Sequence, residues 1–367
     1  MVRLNEAVGN SVPQTLPNGV WKPNTARPRQ QVSGGSQKRR SDGRRGAERE
    51  ATTRPVSEEA TAPDIDSATA PDRTHLINDA VRQMVDMPLK RRLDYVFSPH
   101  WYNLDYAVAL EERFDELREE ARLSREAIGM RIVSPSGMAK SLIMRHYCDK
   151  HRPYQDKKAR VTITPALFME IAPGHSGVTD VMSMIYQALK APYQSGSFDR
   201  RKVRCIADLE ELNIQILMVD EINIITNLPD DIAIKILNML KWLNNSLGIP
   251  LVLGSTPGKS ELFKADHQYA RRFRPYHLAK WQLDDAYARA VSTIMAYMPL
   301  AEPPEAAIFE DEGLSYLLRI TDYETSSLVR LIKFATRMIM KEDGDRLSLD
   351  ALRLAAATYG YSLHSED

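Results

Sequence analysis

The stretch of this chain whose residue types and spacing most suggest chemistry is SPSGMAKS, residues 134–141. An apolar run at residues 130–133 precedes it and a helical pattern opens near Lys140, the strand, loop and helix context of a Walker A phosphate loop. In such a loop Ser134, Pro135, Ser136, Gly137, Met138 and Ala139 would wrap the phosphates, with main-chain N–H groups from all but Pro135, which lacks one, and with the helix N-terminus. Lys140 would supply a point charge to the β/γ oxygens and the Ser141 hydroxyl a ligand for Mg²⁺. Both usual terminal glycines are replaced, by Ser134 and Ala139, which leaves Gly137 as the loop's one unrestricted backbone position. The motif taken alone is weak.

Further along, ILMVDE at residues 216–221 reads as a buried strand ending in two acids. There Asp220 can hold Mg²⁺ through water and Glu221 can polarise an attacking water. Another strand-like run, IPLVLGST, ends in Ser255 and Thr256. If its strand neighbours that of Asp220, either hydroxyl could sense the γ-phosphate or orient water. Thr256 is our choice, although a strand-terminal hydroxyl that merely caps a turn fits the pattern equally well. After these runs Arg271, Arg272 and Arg274 crowd a short stretch, read here as lying past the sheet. They suit an arginine finger inserted into a neighbouring subunit's site, or a solvated basic turn.

The elements that must position these groups follow from periodicity. Residues 79–93 and 105–125 carry apolar residues three and four apart and predict amphipathic helices. GMRIVS, ARVTITP, VTDVMSMIYQALKAP, NIQILMVD, DIAIKILNMLKWLNNS and IPLVLGST then alternate strand and helix patterns, which predicts an α/β fold with a central parallel sheet. Past Trp281 the pattern becomes helical and predicts a C-terminal lid. Residues 1–75, rich in Pro, Ser, Gly, Thr and Arg, read as a disordered tail. Lys38, Arg39, Arg40, Arg44, Arg45 and Arg49 make a basic cluster there that could hold DNA phosphates or simply be solvated. The expected divisions are the tail, a helical segment at 76–126, a nucleotide-binding core at 127–280 and the lid at 281–367.

With 49 Lys and Arg against 49 Asp and Glu, the chain has no global field to draw nucleic acid, so binding to it must come from local patches. Two cysteines are too few for a disulfide framework and fit a reducing compartment. The opening MVRLNEAVGN lacks the apolar run of a signal peptide, and no run approaches the ~18 apolar residues of a membrane span. The expectation is a soluble cytoplasmic protein without a membrane partner.

MVDEIN, LKWLNNSLGIPLVLGST, DHQYARRFRPYHLAKW and AYMPL together resemble the TniB/TnsC family of AAA+ transposition ATPases, and the resemblance runs over roughly residues 90–360. It implies an AAA+ P-loop domain with N-terminal helices and a helical lid, with Lys140 and Ser141 as nucleotide ligands, Glu221 as catalytic acid, Thr256 as first sensor and Arg272 as arginine finger. It also implies ATP and Mg²⁺ as ligands, and a homo-oligomer, ring or filament, on double-stranded DNA that bridges a target-selecting protein to the transposase and disassembles on hydrolysis. Lys157, Lys158 and Arg160, just before the second strand, are the expected DNA-facing cations, with ordinary solvated charge as the alternative. The chain departs from the family pattern at Ser134 and Ala139, at Asn223 where a histidine is usual, and at residues 321–328, TDYETSSL, which lack glycine. Two other readings follow: a non-hydrolysing nucleotide-bound scaffold, and a helicase loader of the related AAA+ clade.

Overall fold

A computed structural model describes residues 73–124, 128–172, 174, 177–192, 196–258 and 267–362, together with a two-residue antiparallel pair, Gln14–Thr15 with Trp21–Lys22. The basic cluster at residues 38–49 and the expected disorder of the tail lie outside the described residues.

The centre is a five-stranded sheet. In chain order its strands are β1 (Gly129–Val133), β4 (Leu167–Glu170), β5 (Leu217–Asp220), β6 (Leu251–Ser255) and β7 (Phe273–His277). Their spatial order is β4-β5-β6-β1-β7, and every pairing is parallel. Both faces are covered, which is why the strands read as continuous apolar runs. Successive side chains point to opposite faces: Met130, Ile132, Met218 and Val252 join one buried cluster, while Leu217, Val219, Leu251 and Leu253 join the other.

The first cluster is completed by α3 (Asp105–Ser124), α4 (Lys140–Lys150) and the C-terminal helices α9 (Asp285–Met295), α10 (Asp311–Ile320), α11 (Thr325–Lys341) and α12 (Leu349–Thr358). The second is completed by α5 (Val178–Ala188), α6 (Phe198–Glu211) and α7 (Asp230–Leu247). A short helix α8 (His267–Arg272) leads into β7. Among the described residues no helix is long and apolar enough to cross a membrane.

Three expectations need correction. The helix expected over residues 79–93 is two helices, α1 (Asp79–Met84) and α2 (Leu89–Phe97). Pro88 stands between them, where its ring bars continuation and its missing N–H costs nothing at the start of α2. ARVTITP is not a strand of the parallel sheet: β2 (Tyr154–Asp156) and β3 (Val161–Ile163) form a separate antiparallel hairpin, and the sheet strand is the following LFME. Nor do the arginines follow the sheet: Arg271 and Arg272 end α8 and lead into its edge strand β7, and Arg274 lies within β7. β7 pairs with β1 alone, so Pro275 sits on an edge strand, where a residue lacking an N–H can be accommodated.

Candidate functional site

The site grows from the carboxyl ends of β1, β5 and β6. Ser134 continues the sheet by donating its N–H to Ser255 O (3.0 Å), and its fully buried side chain bonds Pro135 O (3.0 Å). Ser134 is not among the residues with positive φ, so the serine fits the position usually held by glycine. Gly137 does need its freedom: its φ is 82°, and a Cβ there would run into the Glu324 side chain. Ala139, immediately before α4, is left-handed at φ 59° and ψ 18°, a region that L-residues enter at a cost of about 1–2 kcal/mol.

β6 lies between β1 and β5, so Lys140 and Asp220 must meet across it. Val133 is level with Ser255, and Val219 with Leu253. Asp220 therefore emerges beside Gly254. The Lys140 ammonium and the Asp220 carboxylate form a buried ion pair over that glycine, and a Cβ on Gly254 would collide with Asp220 Oδ1 and come within 3.0 Å of Lys140 Nζ. Glycine at 254 is thus what lets the two charges touch.

Glu221 donates its N–H to Asp220 Oδ1 (2.8 Å) and stands at φ 55°, another strained non-glycine position. Asn223, where the family pattern has histidine, connects two candidates: its side chain accepts the Thr256 N–H (2.8 Å) and its amide reaches Glu221 Oε2 at 3.5 Å. β6 does adjoin β5, which brings Thr256 to Glu221's end of the sheet.

Residues 134–141, Glu221 and Thr256 line one cavity of about 790 Å³, whose far wall is Pro99, Trp101, Tyr102, Val329 and Phe334. A polar end beside an aromatic and aliphatic end suits a phosphate-bearing ligand with a flat base. The fit for Mg²⁺ can be judged from the site itself. Ser141 and Lys140 line the cavity, and behind Lys140 its ion-pair partner Asp220 keeps a buried Oδ2 with no hydrogen-bond partner, an oxygen that could hold a hard cation through water once the lysine moves.

Across the cavity α11 closes on the loop. Ser326 N–H donates to Gly137 O (2.9 Å), Tyr106 OH donates to Met138 O (3.2 Å), and Thr325 Oγ1 meets both Tyr106 OH (3.0 Å) and Trp281 Nε1 (2.9 Å). Burial pushes the Tyr106 phenol up to about 12 against the opposing effect of the Thr325 bond, so it stays a neutral donor. Tyr106, Trp281, Thr325 and Asn223 were missed as site residues. Asn223 had left a signal as the odd residue after the paired acids, and Trp281 and Thr325 lay in segments compared with the family pattern without a role being attached to them.

Arg272 is not brought to this cavity. It bonds Asn245 Oδ1 (2.6 Å) and lines a separate cleft of about 740 Å³ at the amino ends of β1 and β7, with Arg113, Lys241, Arg271 and Arg274. Lys157, Lys158 and Arg160 lie apart again, exposed on the tip of the β2–β3 hairpin. Asp156 Oδ1 holds that tip by accepting from Lys158 N (2.8 Å) and Ala159 N (3.1 Å).

With this geometry in place, the chain matches the family model described as bacterial TniB protein over residues 92–283. The chain belongs to the TniB family. Among solved structures it is similar to the Aeropyrum pernix ORC2 protein in ADPNP–ADP complexes, with TM-score 0.52 and 14% identity over 71% of each chain. It is also similar to Drosophila ORC bound to DNA, with TM-score 0.51 and 12% identity over 85% of this chain and 71% of that one. At such identities the likeness establishes the fold alone, an α/β architecture with a central parallel sheet. No curated protein matches the chain. Within this TniB chain the family match spans β1 to β7 and so contains every cavity residue from Pro99 to Thr256.

Proposed function

We propose that this TniB-family protein is an ATP-dependent regulator of DNA transposition that oligomerises on target DNA and links a target-selecting partner to the transposase. The observation that carries the ATPase part is the meeting of Lys140 with Asp220 over Gly254, with Glu221 and Thr256 at the ends of neighbouring strands on the same cavity. The transposition part rests on the family.

In this reading residues 136–139 receive the phosphates on main-chain N–H groups, and Lys140 turns from Asp220 to the β/γ oxygens. Glu221 polarises the attacking water, while Asn223 keeps that carboxylate and the Thr256 main chain in fixed relation. Mg²⁺, held by Ser141 Oγ and through water by Asp220, would neutralise charge on the phosphates. Arg272, turned away from its own cavity, serves the site of the next subunit. The exposed cations of the hairpin tip contact DNA phosphates, which suits an assembly that must tolerate any sequence.

A second reading, a scaffold that binds ATP without turning it over, is favoured by Ala139 at φ 59°, because strain in the loop opposes the closest phosphate fit. Steady-state ATPase measurements with and without duplex DNA separate the two. The regulator requires turnover that Glu221→Gln removes; turnover no higher than that of the variant sinks it and leaves the scaffold.

A further inference from the structure

The loop meant to receive phosphates is touched by a carboxylate. Glu324, the residue before α11, lays its side chain against Gly137 so closely that a Cβ on the glycine would overlap the carboxyl group. Its hydrogen bond comes from Ser327 Oγ (3.2 Å), and no basic side chain is paired with it among the ion pairs of the described residues.

The main chain on either side of the acid is held in place. Lys280 Nζ donates to Asp322 O (3.0 Å) and Asp322 Oδ2 (2.6 Å), and Trp281 N–H donates to Tyr323 O (3.1 Å). On the other side Ser326 N–H holds Gly137 O, and Thr325 is tied to Tyr106 and Trp281. The Glu324 main chain is therefore held between anchored neighbours, and its side chain rests on the one loop position whose main chain is free of a side chain.

We propose that Glu324 is a charge gauge for the nucleotide site, a specificity residue that weakens triphosphate binding more than diphosphate binding. The inference rests on the phosphate-loop reading above. A negative charge beside an anion site repels each ligand in proportion to the ligand's own charge, and the triphosphate carries the larger one. The gauge biases the resting protein toward ADP, and ATP binds fully only when the lid contact at Gly137 yields.

The test is calorimetric titration of the full chain with ATP and with ADP in EDTA, where the larger ligand charges are unmasked. Glu324→Gln keeps the length and an acceptor for Ser327 but removes the charge. It should tighten ATP by about three- to tenfold and ADP by clearly less, with the difference shrinking as salt is raised. Glu324→Ala should act in the same direction without an amide, and Lys140→Ala serves as the site control. Equal ATP and ADP affinities in wild type and both Glu324 variants, with Lys140→Ala abolishing binding, overturn the gauge and leave the nucleotide site standing. Wild-type affinity in Lys140→Ala overturns the phosphate-loop reading itself.

Discussion

Replacing Lys140 by alanine in the nucleotide-free protein tests the central geometry without any ligand. The side chains of Lys140 and Asp220 are 7% and 1% exposed, and each is the other's charge partner. Without the ammonium, Asp220 keeps one main-chain donor, the Glu221 N–H at 2.8 Å on Oδ1, while Oδ2 already has none. Breaking one side of a buried pair costs about 3–5 kcal/mol, because the charge left behind is neither hydrated nor paired. Removing both charges at similar volume, as in Lys140→Met with Asp220→Asn, should cost far less, so the cycle completed by the single Lys140→Met and Asp220→Asn variants should give a coupling of about 2 kcal/mol or more. Urea denaturation reads this as a shift of midpoint at constant slope. If Lys140→Ala lies within about 1 kcal/mol of wild type, or the double variant is no better than the singles, water reaches the pair and the buried-charge reasoning fails.

Ala139→Gly should relieve a left-handed cost of about 1–2 kcal/mol and lose about 0.4–1 kcal/mol to the freer unfolded chain. The expected urea result is a net stabilisation of between zero and about 1.6 kcal/mol, with faster ATP turnover; destabilisation would show that the loop tolerates alanine without strain. Arg272→Ala should abolish ATP-dependent oligomers in light scattering while shifting the urea midpoint little, since the Asn245 it releases lies on an exposed surface. Oligomers that persist with normal turnover would refute a role in trans. Replacing Lys157, Lys158 and Arg160 together with alanine should weaken duplex binding and flatten the log–log salt slope by about 0.9 for each DNA phosphate that these cations neutralise. An unchanged slope removes the hairpin from the DNA surface.

Those tests rest on features that were unequally legible in the chain. Runs such as ILMV and PLVL are buried on both faces of the sheet, so their composition declared them as parallel strands, and the acids and hydroxyls after them marked the sheet's carboxyl end. β7 was hidden because an edge strand buries less: with Arg274, Pro275 and His277 it has no apolar run, and only its pairing with β1 makes it a strand. The same holds for the hairpin, where VTI looked like a sheet strand because both uses suit β-branched residues. The helix α6 begins with Phe198 and Asp199 ahead of a run of cations, and its apolar face is narrow, with Cys205 and Leu209 its buried residues.

The site residues that stayed hidden are those whose meaning depends on distant parts of the chain. Tyr106 precedes the phosphate loop, and Trp281 and Thr325 follow it far along the chain, so nothing in spacing unites them. The turn before α11 is the sharpest case. Asp322 and Tyr323 are consecutive non-glycine residues at φ 51° and 60°, in a segment where the family pattern has glycine. Two such positions cost of order 1–3 kcal/mol each and persist only when surrounding contacts over-determine them. Lys280 and Trp281 supply those contacts from the strand side, and the Ser326 to Gly137 bond supplies one from the loop side. The strained turn is therefore tied to the phosphate loop it touches, and a change in Gly137 main-chain geometry has a direct route into the lid.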